Sequence, residues 1–191
     1  GAPGEPGDFY APMQPDFYDN AALREYVSEP SHAWKTFTGI TRTHMGMAEI
    51  EKPIVGKITG DAVGFGSSLA LACDLIVARE DAQIIDIHLG MGEIHSGPGF
   101  GIVTGDGGSA VAPLHFPIAL AKEFLFLARP FTAKELVERG IVNYAVPAAD
   151  LDAKTDEIVQ ALLRRSSYAL GWTKRTVNRM VVSQLNMTLD A

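Results

Sequence analysis

The segment KPIVGKITGDAVGFGSSLALACDLIVAREDAQI, residues 52–84, constrains the fold more than any other part of the chain. IVGKIT (54–59) is short, apolar and β-branched, so its composition reads as a buried strand. The Lys52-Pro53 step ahead of it forces extended geometry on the residue preceding the proline. A glycine-rich turn then leads into SSLALAC, a short apolar helix that Ser67 or Ser68 is placed to cap. DLIVARED reads as a strand with a polar exit, and AQIIDIH as another. Strands and helices therefore alternate, the mark of an α/β chain.

The flanks extend this pattern. Residues 1–20 are dense in Gly, Pro and Asp and have no periodicity able to bury a face, so they read as loop. AALREYV and HAWKTFTGITRTHMGMAEI read as two helices divided by Pro30. Residues 90–108 hold too many glycines for a regular element. FPIALAKEFLFLA (116–128) is an apolar helix; Thr132 and Glu135 form a capping box that opens TAKELVERG, and Gly140 stops that helix. IVNYAVP is a strand, and LDAKTDEIVQALLRR and YALGWTKRTVNRMVVSQL close the chain as two amphipathic helices.

Charge narrows the function classes. The formal net charge of −7 argues against general nucleic-acid or anionic-membrane binding, while leaving room for a local basic patch that holds one polyanionic ligand. A single cysteine, Cys73, excludes an intramolecular disulfide and a cysteine-clustered zinc site. No run of about 18 apolar residues is present, so no membrane span is expected. The composition reads as a soluble, cytoplasmic protein.

Residues 52–84 resemble the core signature of the enoyl-CoA hydratase/isomerase, or crotonase, superfamily: a Lys-Pro before a strand, a turn with Gly-x-Gly, and an apolar helix running to an acidic residue. LAKEFLFLARPFTAKELVERGIVNYAVP (120–147) and YALGWTKRTVN (168–178) resemble two later stretches of the same family, in the same order. The resemblance implies an α/β fold of the ClpP/crotonase type, a spiral of ββα units with C-terminal helices. It divides the chain into a core over residues 1–148, expected to lack the usual N-terminal strands, and a helical region over 149–191 for oligomerisation and CoA contact. The partners implied are an acyl-CoA thioester and further copies of the chain, as a homotrimer or hexamer. Neither a metal nor a separate cofactor is implied, because coenzyme A belongs to the substrate. EIHSGPGFG (93–101) looks like an insertion relative to the family.

The family stabilises an enolate formed from a CoA thioester, which needs donors aimed at the developing negative oxygen. Gly64-Phe65-Gly66 sits at a strand-to-helix turn whose first amides lack helical partners. By resemblance the amide of Phe65, beside Gly66, is one oxyanion donor; the plainer reading is a tight turn. The second donor falls in Glu5-Pro6-Gly7-Asp8, where Pro6 has no N–H, so Glu5 or Gly7 is left and Asp8 matches the family's aspartate.

Hydratases of the family use two glutamates, and Ser68 and His88 stand at the matching positions. A hydroxyl is a poor base near neutral pH, whereas a histidine titrates there. Asp106, in TGDGG, resembles an aspartate of family members with other chemistry, such as ring-closing synthases. The three candidates are thus His88, Asp106 and Ser68, with plainer roles as a core histidine, a turn aspartate and a helix cap. Asp86 is expected to share a strand face with His88. Lys174 and Arg175, on the last helix, are the candidate CoA cations, or else part of a solvated basic face. His95, His115 and Asp106 match no metal spacing. The expected function is acyl-CoA transformation through an enolate, as hydratase or isomerase. Its rivals are C–C hydrolysis, ring closure, and a non-catalytic acyl-CoA-binding homologue.

Overall fold

The computed structural model describes residues 30–90 and 103–189, so Gly7, Asp8, His95 and the 93–101 segment lie outside the described residues. α1 spans Pro30–Glu49, with Pro30 as its first described residue. β1 (Val55–Ile58) and β3 (Leu75–Arg79) pair in parallel, Val55 opposite Leu75. A parallel pair needs a crossover, and β2 (Ala62–Val63) with α2 (Phe65–Leu71) supplies it.

β2 pairs in parallel with β4 (Gln83–Ile85), whose other edge takes β5 (Phe131–Thr132) in antiparallel register. β6 (Tyr144–Val146) returns to the first sheet beside β3, Val77 opposite Tyr144. The sheet orders are β1-β3-β6 and β2-β4-β5, so β1 to β4 alternate between two sheets as the chain winds in ββα turns. This is the expected crotonase spiral.

β3 shows how the layers bind. Its side chains alternate, so Ile76 and Ala78 enter the main core with Leu71, Ile84, Phe124 and Phe131, while Val77 points the other way. Val77 meets Leu151 and Ile158 of α6 (Leu151–Leu163). α3 (Gly108–His115) and α4 (Ile118–Phe126) close the core over an aromatic cluster, in which Phe116 and Phe124 stack at 5.0 Å. The capping box forms as expected. Thr132 N donates to Glu135 Oε2 (2.8 Å) and Glu135 N to Thr132 Oγ1 (3.2 Å), opening α5 (Ala133–Glu138), and Gly140 at φ 73° follows its end. α7 (Ser167–Thr188) packs on α1 and sends Leu185 into the main core.

Two local expectations are corrected. α2 is capped by Gly64, at φ 54°, and not by a serine: the Ser67 hydroxyl donates backwards to Gly64 O (2.8 Å). β4 ends at Ile85, so Asp86 and His88 lie past the strand and not on a face of it. Among the described residues, no helix is long and apolar enough to cross a membrane.

Candidate active site

Three segments converge where the parallel pair β2–β4 ends. The ladder closes with Gly64 N donating to Ile85 O (3.0 Å). Past that point one chain turns into α2 and the other delivers Asp86 and His88. The third segment, Thr104 to Gly108, leads into α3 through Gly107 at φ 104°. Ser68 ties the third segment to the first: its buried hydroxyl lies 3.0 Å from both Phe65 O and Asp106 O. Ser68 therefore serves as a stitch between α2 and the Asp106 turn, neither capping the helix nor presenting its oxygen to solvent.

Asp86, His88 and Asp106 form a line. His88 Nδ1 lies 2.8 Å from Asp86 Oδ1, and its Nε2 lies 3.2 Å from Asp106 Oδ2. Asp86 is fully buried, whereas the His88 and Asp106 side chains keep 17% and 13% of their surface. Gly64 makes room beneath the pair, since a Cβ there would sit 3.5 Å from His88 Cε1 and 3.6 Å from Asp106 Oδ2. The hydrogen bonds that Asp106 and then Asp86 accept from the imidazole push it up to about 10 against the opposing effect of burial. His88 is thus an imidazolium at neutral pH, with both N–H groups committed to carboxylates. A general base needs a free lone pair, and each His88 ring nitrogen here faces a carboxylate, so the geometry favours Asp106 over His88 for that part.

One ligand atom from each of these three residues falls within 4.8 Å of the others. A single ion can take only one ring nitrogen, and here each nitrogen faces a different carboxylate at hydrogen-bonding distance. The arrangement fits shared protons better than a coordination sphere. Asp106 is the partly exposed carboxylate at the end of the line. It can accept a proton from an outside molecule while His88 steadies it. The amide of Phe65, first in α2, has no intrahelical acceptor, and its side chain is 38% exposed.

The candidate CoA cations lie elsewhere. Lys174 is 8% exposed, and its ammonium donates to Asp74 Oδ2 (2.6 Å), Met47 O (2.9 Å) and Lys52 O (3.2 Å). All three protons are used inside the chain, so in this arrangement the ammonium that was the candidate CoA contact is turned inward. Arg175 is exposed, 3.7 Å from Glu51 Oε1 and over the Trp172 ring. With Glu49, Asn178 and Arg179 it lines a groove of about 450 Å³ between α1 and α7. His115 stands at the opposite end of α3 from the Asp106 turn, and burial pushes its imidazole down.

One residue escaped the sequence reading. His44 of α1 is 1% exposed and packs behind the site, against Gly107 and edge-on to the Phe65 ring (centroids 5.9 Å apart). Its only signal in the sequence is a histidine within a helical stretch, which does not separate a site residue from a core residue.

Comparison with known proteins extends the picture. The profile of the family described as enoyl-CoA hydratase/isomerase matches residues 21–191. The chain is 33% identical over 170 residues to YngF of Bacillus subtilis, which carries the enoyl-CoA hydratase/isomerase name, covering 88% of this chain and 62% of that protein. Among solved structures, an enoyl-CoA hydratase/isomerase from Mycobacterium paratuberculosis superimposes with a TM-score of 0.73 at 29% identity, covering 88% of this chain and 63% of that one. A β-diketone hydrolase from Anabaena sp. PCC 7120 gives 0.74 at 25% identity, covering 84% and 61%. The chain therefore spans a little under two thirds of the length of these relatives.

Proposed function

Because the chain belongs to the enoyl-CoA hydratase/isomerase family, we propose that it transforms an acyl-CoA thioester through an enolate, with Asp106 moving the proton. The observation that carries this reading is the position of Asp106. It ends a buried Asp86–His88 line, is partly open, and stands across Gly64 from the head of α2.

The chemistry follows from those positions. The thioester oxygen sits toward the Phe65 amide. Asp106 takes a proton from the α-carbon of a 3-enoyl thioester, and the electron pair moves onto the carbonyl oxygen as a dienolate. The same carboxyl returns the proton to the γ-carbon, which moves the double bond into conjugation and consumes no water. His88 donates to Asp106 throughout. Hydration, by contrast, needs one group to activate water and another to protonate the α-carbon, and the imidazolium of His88 is unsuited to the first task. Isomerisation is therefore the favoured reaction. The likeness to a β-diketone hydrolase supports C–C hydrolysis as the second reading.

The test is turnover of a panel of 3-enoyl-CoA, 2-enoyl-CoA and β-diketone substrates by the purified protein. The reading expects double-bond migration that falls roughly a hundredfold or more in Asp106→Asn. It also expects hydration of crotonyl-CoA at least about a hundredfold below a two-glutamate enzyme. Efficient crotonyl-CoA hydration overturns it, and CoA-ester binding without any turnover favours the non-catalytic homologue. The reading includes assembly as a homotrimer, supported by the exposed Tyr168, Trp172, Met180 and Met187 along one side of α7. A monomer by light scattering would count against that assembly.

A further inference from the structure

His44 takes no part in the chemistry above, yet it touches both halves of the site. Its Nδ1 donates to Ile40 O one turn back along α1 (2.9 Å), which fixes the ring and leaves Nε2 for another partner. Among the described residues that buried nitrogen has no partner. An unpaired buried polar atom is unfavourable, and an apolar side chain here would avoid it. The ring rests directly on Gly107, where a Cβ would come within 2.5 Å of Nε2. It also meets the ring of Phe65, at an interplanar angle of 67°. Gly107 follows Asp106, and Phe65 heads α2. On the other side of the turn, a Cβ on Gly108 would overlap Asp86 Oδ2. The two glycines are thus gripped between an imidazole and a carboxylate, while Ser68 holds the Asp106 carbonyl from a third direction.

We propose that His44 is a positioning residue: wedged between Gly107 and Phe65, it sets where the Asp106 carboxylate stands relative to His88 and to the head of α2. Ser68 holds the backbone of the turn, and the His44 ring stands where Gly107 would sink toward α1. For catalysis this inference rests on the reading of Asp106 given above; for geometry it does not, because His88 reports the position of Asp106 without any substrate.

The test compares wild type with His44→Ala and His44→Asn. Asparagine can keep a donor to Ile40 O but is too short to reach Gly107. The His88 imidazole is followed by NMR across a pH titration, together with kcat and KM on the acyl-CoA the protein turns over. Among the described residues the charged groups facing His88 are Asp86 and Asp106, so its midpoint reads their distance. The expected result in both variants is a midpoint lowered by about one pH unit or more. Alongside it kcat falls roughly tenfold to a hundredfold, with KM within about twofold of wild type. A merely structural role lowers Tm but leaves His88 unmoved in the molecules that stay folded. A folded His44→Asn or His44→Ala protein with the wild-type midpoint overturns the proposal. A lowered midpoint in a protein that turns over no acyl-CoA upholds the positioning and overturns the activity reading instead.

Discussion

Lys174 offers the sharpest test of how the fold is held. Its side chain is 6% exposed, and its ammonium joins α7 to the end of α1 through Met47 O, to the turn before β1 through Lys52 O, and to the start of β3 through Asp74. The two ends of the ion pair are not equivalent. Removing the amine in Lys174→Met leaves Asp74 22% exposed and still accepting from Ile54 N at 2.7 Å, so water and a backbone donor share the residual charge. The expected loss is about 2–3 kcal/mol, below the full cost of stranding a buried charge. For a chain of this size that corresponds to a Tm lower by roughly 4–12 °C. Asp74→Ala strands the ammonium with two carbonyls and also orphans Ile54 N, so it should cost more, about 3–5 kcal/mol. Urea denaturation with a constant m-value measures both, and KM for the acyl-CoA should stay at the wild-type value in Lys174→Met. A Lys174→Met protein within about 0.5 kcal/mol of wild type would refute the reasoning. So would a raised KM at unchanged stability, which would return Lys174 to the role of a CoA contact.

The remaining expectations are local. His88 is raised from 6.5 to about 10 by folding, so its contribution to stability is fully present below 6.5 and is lost as pH rises through 10. Chemical denaturation from pH 6 to 10 should therefore show a decline in wild type that is smaller in Asp86→Asn, which removes one of the charges holding the proton. Gly64→Ala should cost about 1–2 kcal/mol in urea denaturation, because φ 54° is backbone that favours glycine, while the added methyl meets His88 and Asp106 only at ordinary contact distance. Thr132→Ala should lose about 1 kcal/mol in urea denaturation by opening the capping box, with kcat unchanged.

What could be read from the residues alone is what neighbours in the chain decide. The succession β1, glycine turn, α2, β3 follows from β-branched runs and a glycine break. The capping box of Thr132 and Glu135 is a contact across three residues, and Gly140 ends α5 because it accepts a positive φ. Asp86 and His88 were recognisable as a pair on the expectation of a shared strand face, and they meet in the segment past β4 instead. Asp106 and the Phe65 amide were legible as candidates through resemblance to a family, which carries over positions but not protonation states.

The tertiary structure decided the roles. His88 looks like a base until Asp106, delivered by another segment, comes within 3.2 Å of its second nitrogen and makes it an imidazolium. Lys174 looks like a surface cation until Asp74, 100 residues earlier in the chain, draws it inside. His44 acquires a function only because Gly107 and Phe65 fold against it. The physical reason is common to all three. The charge and availability of a titratable group depend on the distance to opposite charge and on exclusion of water, both of which are set by groups remote in sequence. Hydrophobic periodicity and turn chemistry are local, and so they are written in the order of the residues.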